Sequence, residues 1–137
     1  MEALPCVLYV EDDLQSRKVM KMLLEGRMKL PHVVFFEDSS DFTDRVEVLH
    51  PKPTVVFLDI HVKPYTGFEM LTMLRGMDWA RDIPIVALTA SVMQEEVQQL
   101  RTAGFSGCLA KPLDLLSFPE TFQRIVMGES IWRIIGS

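Results

Sequence analysis

Four polar clusters, Glu11-Asp12-Asp13, Asp59, Thr89-Ala90-Ser91 and Lys111-Pro112, each follow directly on a short apolar run in this 137-residue chain. Taken singly they have ordinary explanations. The acidic triplet serves as a charged loop with a helix N-cap, Asp59 as a turn cap, Thr89 as a β-branched strand residue and Lys111 as a solvated surface cation. Gathered at one place they would do chemistry. Carboxylates crowded within a few ångströms cannot all stay ionised without a cation, and hard oxygen ligands with spare coordination positions suit Mg²⁺, which bridges carboxylates to phosphate oxygens. A lysine ammonium is a compact charge for a phosphoryl oxygen, and a threonine hydroxyl can donate to it. A carboxylate nucleophile, a divalent cation, a hydroxyl and a lysine are the parts required for phosphoryl transfer to an aspartate.

For these residues to meet, the runs before them must be neighbouring parallel strands. Short apolar segments alternate with stretches of helical period, which is the pattern of repeated βα units. Five strands are expected: 6–10, 32–36, 54–58, 84–88 and 107–110. Between and after them, helices are expected over Leu14 to about Met28, Ser40–Leu49, Phe68 to about Met77, Met93–Thr102 with Gly104 as its stop, and a fifth opening at Ser117-Phe118-Pro119-Glu120. Thr54–Leu58 is apolar without alternation, as a strand covered on both faces should be. In such a sheet, ligands bind outside the carboxyl ends of the strands. The four polar clusters fall at the ends of strands one, three, four and five.

The ordered set Val10-Glu11-Asp12-Asp13, Phe57-Leu58-Asp59, Leu88-Thr89-Ala90 and Ala110-Lys111-Pro112 resembles the response-regulator receiver domain over about residues 5 to 127. The resemblance implies a flavodoxin-like, doubly wound five-stranded parallel sheet of order 2-1-3-4-5 with five helices. It implies that Asp59 accepts a phosphoryl group from a phosphohistidine on a sensor histidine kinase or phosphotransfer protein. Asp12 and Asp59 would bind Mg²⁺ directly, Glu11 mainly through water, and the His61 backbone carbonyl would complete the protein ligands. Thr89 and Lys111 would contact the phosphoryl group, with a cis peptide bond from Lys111 to Pro112. Asp13 matches no metal position and is expected to cap helix one. Phosphorylation would reshape a partner-reading face of helix four, strand five and helix five, making the chain a signalling switch and not a metabolic enzyme.

Two departures stand out. The loop after the acceptor carries Val62-Lys63 where the family usually has Met-Pro, with proline displaced to Pro64, although Gly67 matches. Three residues before Lys111, where Tyr or Phe is common, stands Cys108, so a threonine–aromatic coupling is expected to be weak or absent. His61 and Ser91 occupy variable positions that tune phosphoryl lifetime. A degenerate receiver acting without phosphorylation is one alternative. An aspartyl-nucleophile phosphohydrolase is another, disfavoured because His61 stands where a second aspartate would be needed.

Composition sets outer limits. With 14 Lys+Arg against 19 Asp+Glu, the net charge is −5, and no basic run offers a nucleic-acid or anionic-lipid surface. At 48% hydrophobic, 24% charged and 9% aromatic, the chain has the material for one core, and its apolar runs are too short for a membrane span. A cytoplasmic protein is the expectation. Cys6 and Cys108 fall on strands separated by two others, roughly 14 Å at ~4.8 Å per strand, beyond disulfide reach. His32, His50 and His61 show no metal-ligand spacing. The apolar tail Ile131-Trp132-Arg133-Ile134-Ile135, within residues 128–137, has three open fates: packing back on the domain, forming a homodimer, or starting a linker to an excised effector domain. Otherwise output passes to a separate protein.

Overall fold

The computed structural model describes residues 4–90 and 93–133. The strands are β1 (Cys6–Val10), β2 (His32–Phe36), β3 (Val55–Asp59), β4 (Ile85–Thr89), β5 (Gly107–Ala110) and a short β6 (Trp132–Arg133). The helices are α1 (Leu14–Lys21), α2 (Phe42–Glu47), α3 (Gly67–Arg75), α4 (Gln94–Ala103) and α5 (Phe118–Val126). All strands are parallel, in the order β2-β1-β3-β4-β5-β6. The expected 2-1-3-4-5 doubly wound sheet is therefore present, extended by one strand.

Two apolar layers follow from the alternation of side chains along each strand. On one side Leu8, Val10, Val56, Leu58, Ile85, Ala87 and Cys108 pack with Phe42, Leu71, Leu74 and Leu100 from α2, α3 and α4. On the other, Val7, Tyr9, Val55, Phe57, Val86, Leu88 and Leu109 pack with Met20, Phe118, Phe122 and Ile125 from α1 and α5. β1, β3 and β4 are buried throughout, which accounts for their unbroken apolar runs, while β2 is half-exposed at the edge. Cys6 and Cys108 are free and buried.

The ends of the elements obey local chemistry, with some surprises. Asp13 caps α1 by accepting from the Ser16 N–H at 2.9 Å, as expected of a carboxylate there. Gly104 ends α4 at φ 108°, a left-handed conformation that glycine adopts without a side-chain clash. Ser117 takes the N-cap position of α5 but makes no cap hydrogen bond with its side chain. The long first helix is α-helical only to Lys21; Met22–Arg27 is a π-helical continuation. A 3₁₀ turn, Asp78–Ala80, interrupts the route from α3 to β4.

The tail packs back on the domain, at least as far as Arg133. Cys108 pairs with Trp132 and Leu109 with Arg133, and the Cys108 N–H donates to the Ile131 carbonyl at 2.8 Å. Ile134 and Ile135, along with Ser91, lie outside the described residues.

Candidate functional site

The carboxyl ends of β1, β3, β4 and β5 deliver Glu11, Asp59, Thr89 and Lys111 to one edge. The register explains the delivery: Asp59 pairs with Leu88 and Thr89 with Ala110, each the last of its strand's paired run, while Glu11 and Lys111 stand one residue past the ends of β1 and β5. Backbone bonds tie the loops beyond. The Glu11 N–H donates to the Phe36 carbonyl at 3.0 Å, and the Lys111 N–H to the Thr89 carbonyl at 2.9 Å.

Glu11 is fully buried, and its acceptor atoms are occupied from three sides. The Tyr9 hydroxyl donates to Oε1 at 2.7 Å, Lys111 Nζ donates to the same oxygen at 2.7 Å, and the Asp13 N–H donates to Oε2 at 3.2 Å. Asp59 is 4% exposed. The His61 N–H donates to its Oδ1 at 3.1 Å, and Lys111 Nζ lies 3.5 Å from Oδ2. Asp12 is exposed, yet Glu11, Asp12 and Asp59 each offer a carboxylate oxygen within 4.8 Å of the others. Thr89 is 2% exposed at the same edge. The Lys111-Pro112 bond is cis, as are those of Lys63-Pro64 and His50-Pro51.

Crowding two buried carboxylates sets their acidities apart. For Asp59, burial pushes the pKa up from 3.8 and the hydrogen bond it shares with Glu11 adds to this, reaching about 6. For Glu11, burial also pushes up, but hydrogen bonds from Asp59, Lys111 and Tyr9 outweigh it and hold the group down at about 2. Near neutrality both are ionised, facing one lysine. Burial and the Glu11 charge push the Tyr9 hydroxyl up, so it stays a donor.

Three supports escaped the sequence reading. Tyr9 is one; its position two residues before Glu11 on a strand puts both on one face, a signal that was available. Arg17, whose Nη1 donates to the Glu11 carbonyl at 2.8 Å, is another. The third, Ser39, is wholly buried. Its hydroxyl donates to the Tyr65 carbonyl and accepts from the Tyr65 N–H, both at 2.7 Å, while its own N–H donates to the Lys63 carbonyl at 3.2 Å. This clamp holds the loop with the displaced proline, and nothing local in the sequence signals it. Beside the site, an apolar cleft of about 400 Å³ opens among Tyr9, Ser16, Val19, Pro112 and Leu113.

The fold and this edge define a doubly wound α/β protein with acidic and lysine side chains gathered at the sheet's ligand-binding end. Residues 7–122 match the response regulator receiver domain. The chain belongs to that family, whose members are signalling modules of two-component systems. It is 29% identical over 72 residues to the polar-differentiation response regulator DivK of Brucella anthropi, an alignment spanning 53% of this chain and 58% of that protein's length. The structure is similar to the chemotaxis response regulator CheY4 of Vibrio cholerae, with TM-score 0.79, 24% identity, and coverage of 90% of this chain and 99% of that one. It is also similar to the bacteriophytochrome response regulator AtBRR, with TM-score 0.73, 26% identity, and coverage of 99% and 100%. Receiver domains work with histidine kinases or phosphotransfer proteins and with output domains. Among the described residues, no helix is long and apolar enough to cross a membrane.

Proposed function

We propose that this chain is a phosphoacceptor switch in which Asp59 takes a phosphoryl group from a phosphohistidine of a sensor histidine kinase or phosphotransfer protein. The observation that carries this is the meeting of Glu11, Asp12 and Asp59 within 4.8 Å, with Lys111 across from Asp59, in a receiver fold. An Asp59 carboxylate oxygen forms a bond to phosphorus while the phosphorus–nitrogen bond to the donor imidazole breaks, and the departing imidazole takes up a proton. Later attack by water on the acyl phosphate returns the carboxylate and releases inorganic phosphate.

The donor set, three convergent carboxylates, fits a hard divalent cation. Asp12, Asp59 and the His61 carbonyl would hold Mg²⁺ directly and Glu11 through water. Bound there, Mg²⁺ supplies charge neutralisation between carboxylate and phosphoryl oxygens. Lys111, now shared between Glu11 and Asp59, pairs with the phosphoryl group once Asp59 carries it. The Thr89 hydroxyl donates to the same group. Near neutral pH Asp59 is ionised, as a nucleophile must be.

The test is incubation with phosphoramidate and Mg²⁺ followed by intact-mass measurement. A phosphoryl adduct is expected on the wild type and absent from Asp59→Asn and from samples with excess EDTA. An unlabelled wild type, under conditions that label another receiver, would overturn this reading and favour the phosphorylation-independent interaction module.

A further inference from the structure

β6 and the Ile131 that leads into it are seated on both layers of the sheet. Ile131, 6% exposed, joins the layer of α1 and α5, and Trp132 packs on the opposite layer against the cluster that holds Cys108 and Leu100. The guanidinium of Arg101, on α4, lies 4.5 Å from the centre of the Trp132 ring. β5 is shaped to receive this strand: a Cβ on Gly107 would stand 2.4 Å from the Ile131 carbonyl oxygen. Cys108 pairs with Trp132, so the bulky aromatic beside this position comes from the tail and not from β5.

The two elements that seat Trp132 are also the two that lead away from the candidate site. β5 runs from Cys108 through Ala110 into Lys111, which contacts Glu11 and Asp59. β4 ends in Thr89, bonded through its carbonyl to the Lys111 N–H, and the chain then passes to α4 with Leu100 and Arg101. Lys111 and Thr89 are thus each joined along the backbone to the seat of Trp132, one through β5 and the other through the chain that leads from β4 to α4. Dispersion contacts fade within an ångström of separation. A two-residue strand held by one half-buried Trp, a buried Ile just before it and few ladder bonds belongs to the low-stability end of the molecule.

We propose that β6 is a built-in strap whose seat on β5 and α4 loosens when Asp59 is phosphorylated, so that the C-terminal tail reports the state of the site. The inference rests on the phosphoacceptor reading of Asp59. By linkage, a strap that is loosened by phosphorylation must itself oppose phosphorylation, and weakening it must favour the phosphorylated form by the same factor.

The experiment uses the full chain with Trp79→Phe, leaving Trp132 as its one indole. Trp132 emission and acrylamide quenching are followed after addition of phosphoramidate and Mg²⁺, with intact mass read in parallel and Asp59→Asn as control. A red shift and a several-fold rise in quenching, in step with the adduct, are expected only when Asp59 is present. Gly107→Ala, which pushes the tail off, should show that emission without donor and reach higher phosphoryl occupancy at equal donor. Should Gly107→Ala fail to fold by circular dichroism, Trp132→Ala gives the occupancy comparison. An adduct without a Trp132 response, or unchanged occupancy in the loosened variant, overturns the strap and leaves the phosphoacceptor reading standing. Absence of an adduct overturns that reading, and the strap with it.

Discussion

Glu11 shows how one side chain is made to hold a charge where burial opposes it. Burial alone would raise its pKa, yet hydrogen bonds from Asp59, Lys111 and Tyr9 keep it ionised. Tyr9→Phe removes one of these donors and changes almost no volume. The result is a buried carboxylate oxygen with a lost partner, costing about 1.5–3 kcal/mol, the range for hydrogen bonds to charged groups. Urea denaturation at neutral pH should show this loss, and it should shrink in Glu11→Gln, where the charge is gone. Glu11, Asp12, Asp59, Thr89 and Lys111 were legible because each terminates a recognisable apolar run. Tyr9 was hidden inside such a run, where an aromatic reads as core. Ser39 was beyond reach, because its partner Tyr65 is 26 residues away and belongs to a loop whose path no periodicity encodes.

The βα elements were readable to within a few residues because their signals are local: β-branched runs for strands, helical spacing for α1, α3 and α4, glycine after α4. The π-helical turn at Met22–Arg27 has the same apolar spacing as an α-helix, so the sequence pattern could not separate them. β6 was missed as a strand since two residues carry no alternation, and what makes it one is Gly107, whose missing side chain admits it. α3 is the element that fixes the loop after Asp59. Thr66 and Glu69 form a reciprocal capping box at its start, with the Glu69 N–H donating to Thr66 Oγ1 at 3.2 Å and the Thr66 N–H to Glu69 Oε1 at 3.0 Å. Gly67 then passes so close to the strand end that a Cβ would meet Ile60 Cα at 3.0 Å and the Asp59 carbonyl oxygen at 3.1 Å. Gly67→Ala must push α3 away from backbone that cannot rotate aside. A loss of about 1–3 kcal/mol in urea melts is expected, as for overpacked cores, with slower labelling by phosphoramidate because the residue displaced adjoins Asp59. Thr66→Ala, which unmakes the cap without touching Asp59, should cost about 1 kcal/mol and leave the labelling rate unchanged.

Across the whole molecule the acidic edge sets a stability that depends on pH and cation. Asp59, raised to about 6 from an ordinary 3.8, contributes stability in full below 3.8 and loses it as pH climbs through 6. Glu11, held at about 2 against 4.5, contributes above 4.5 and loses it only as pH falls through 2. From 4.5 upward the Glu11 contribution is constant, so the chelated protein should lose stability as pH rises from about 5 to about 7.5, with Asp59 as the cause. Asp59→Asn keeps an amide that can donate to Glu11 and cannot ionise. In excess EDTA its lead over the wild type should widen by about 1–2 kcal/mol between pH 5 and pH 7.5, because about one unit of the rise from 3.8 to about 6 lies above pH 5 and each unit is worth ~1.4 kcal/mol. Mg²⁺ should reverse the order at the higher pH, since a ligand that binds only the folded state stabilises by about 2.7 kcal/mol at a hundred times its Kd, and the amide has given up one anionic ligand. Urea melts of both proteins at the two pH values, with EDTA and with Mg²⁺, decide it: a gap that does not widen with pH would place the strain of the acidic edge elsewhere than on Asp59.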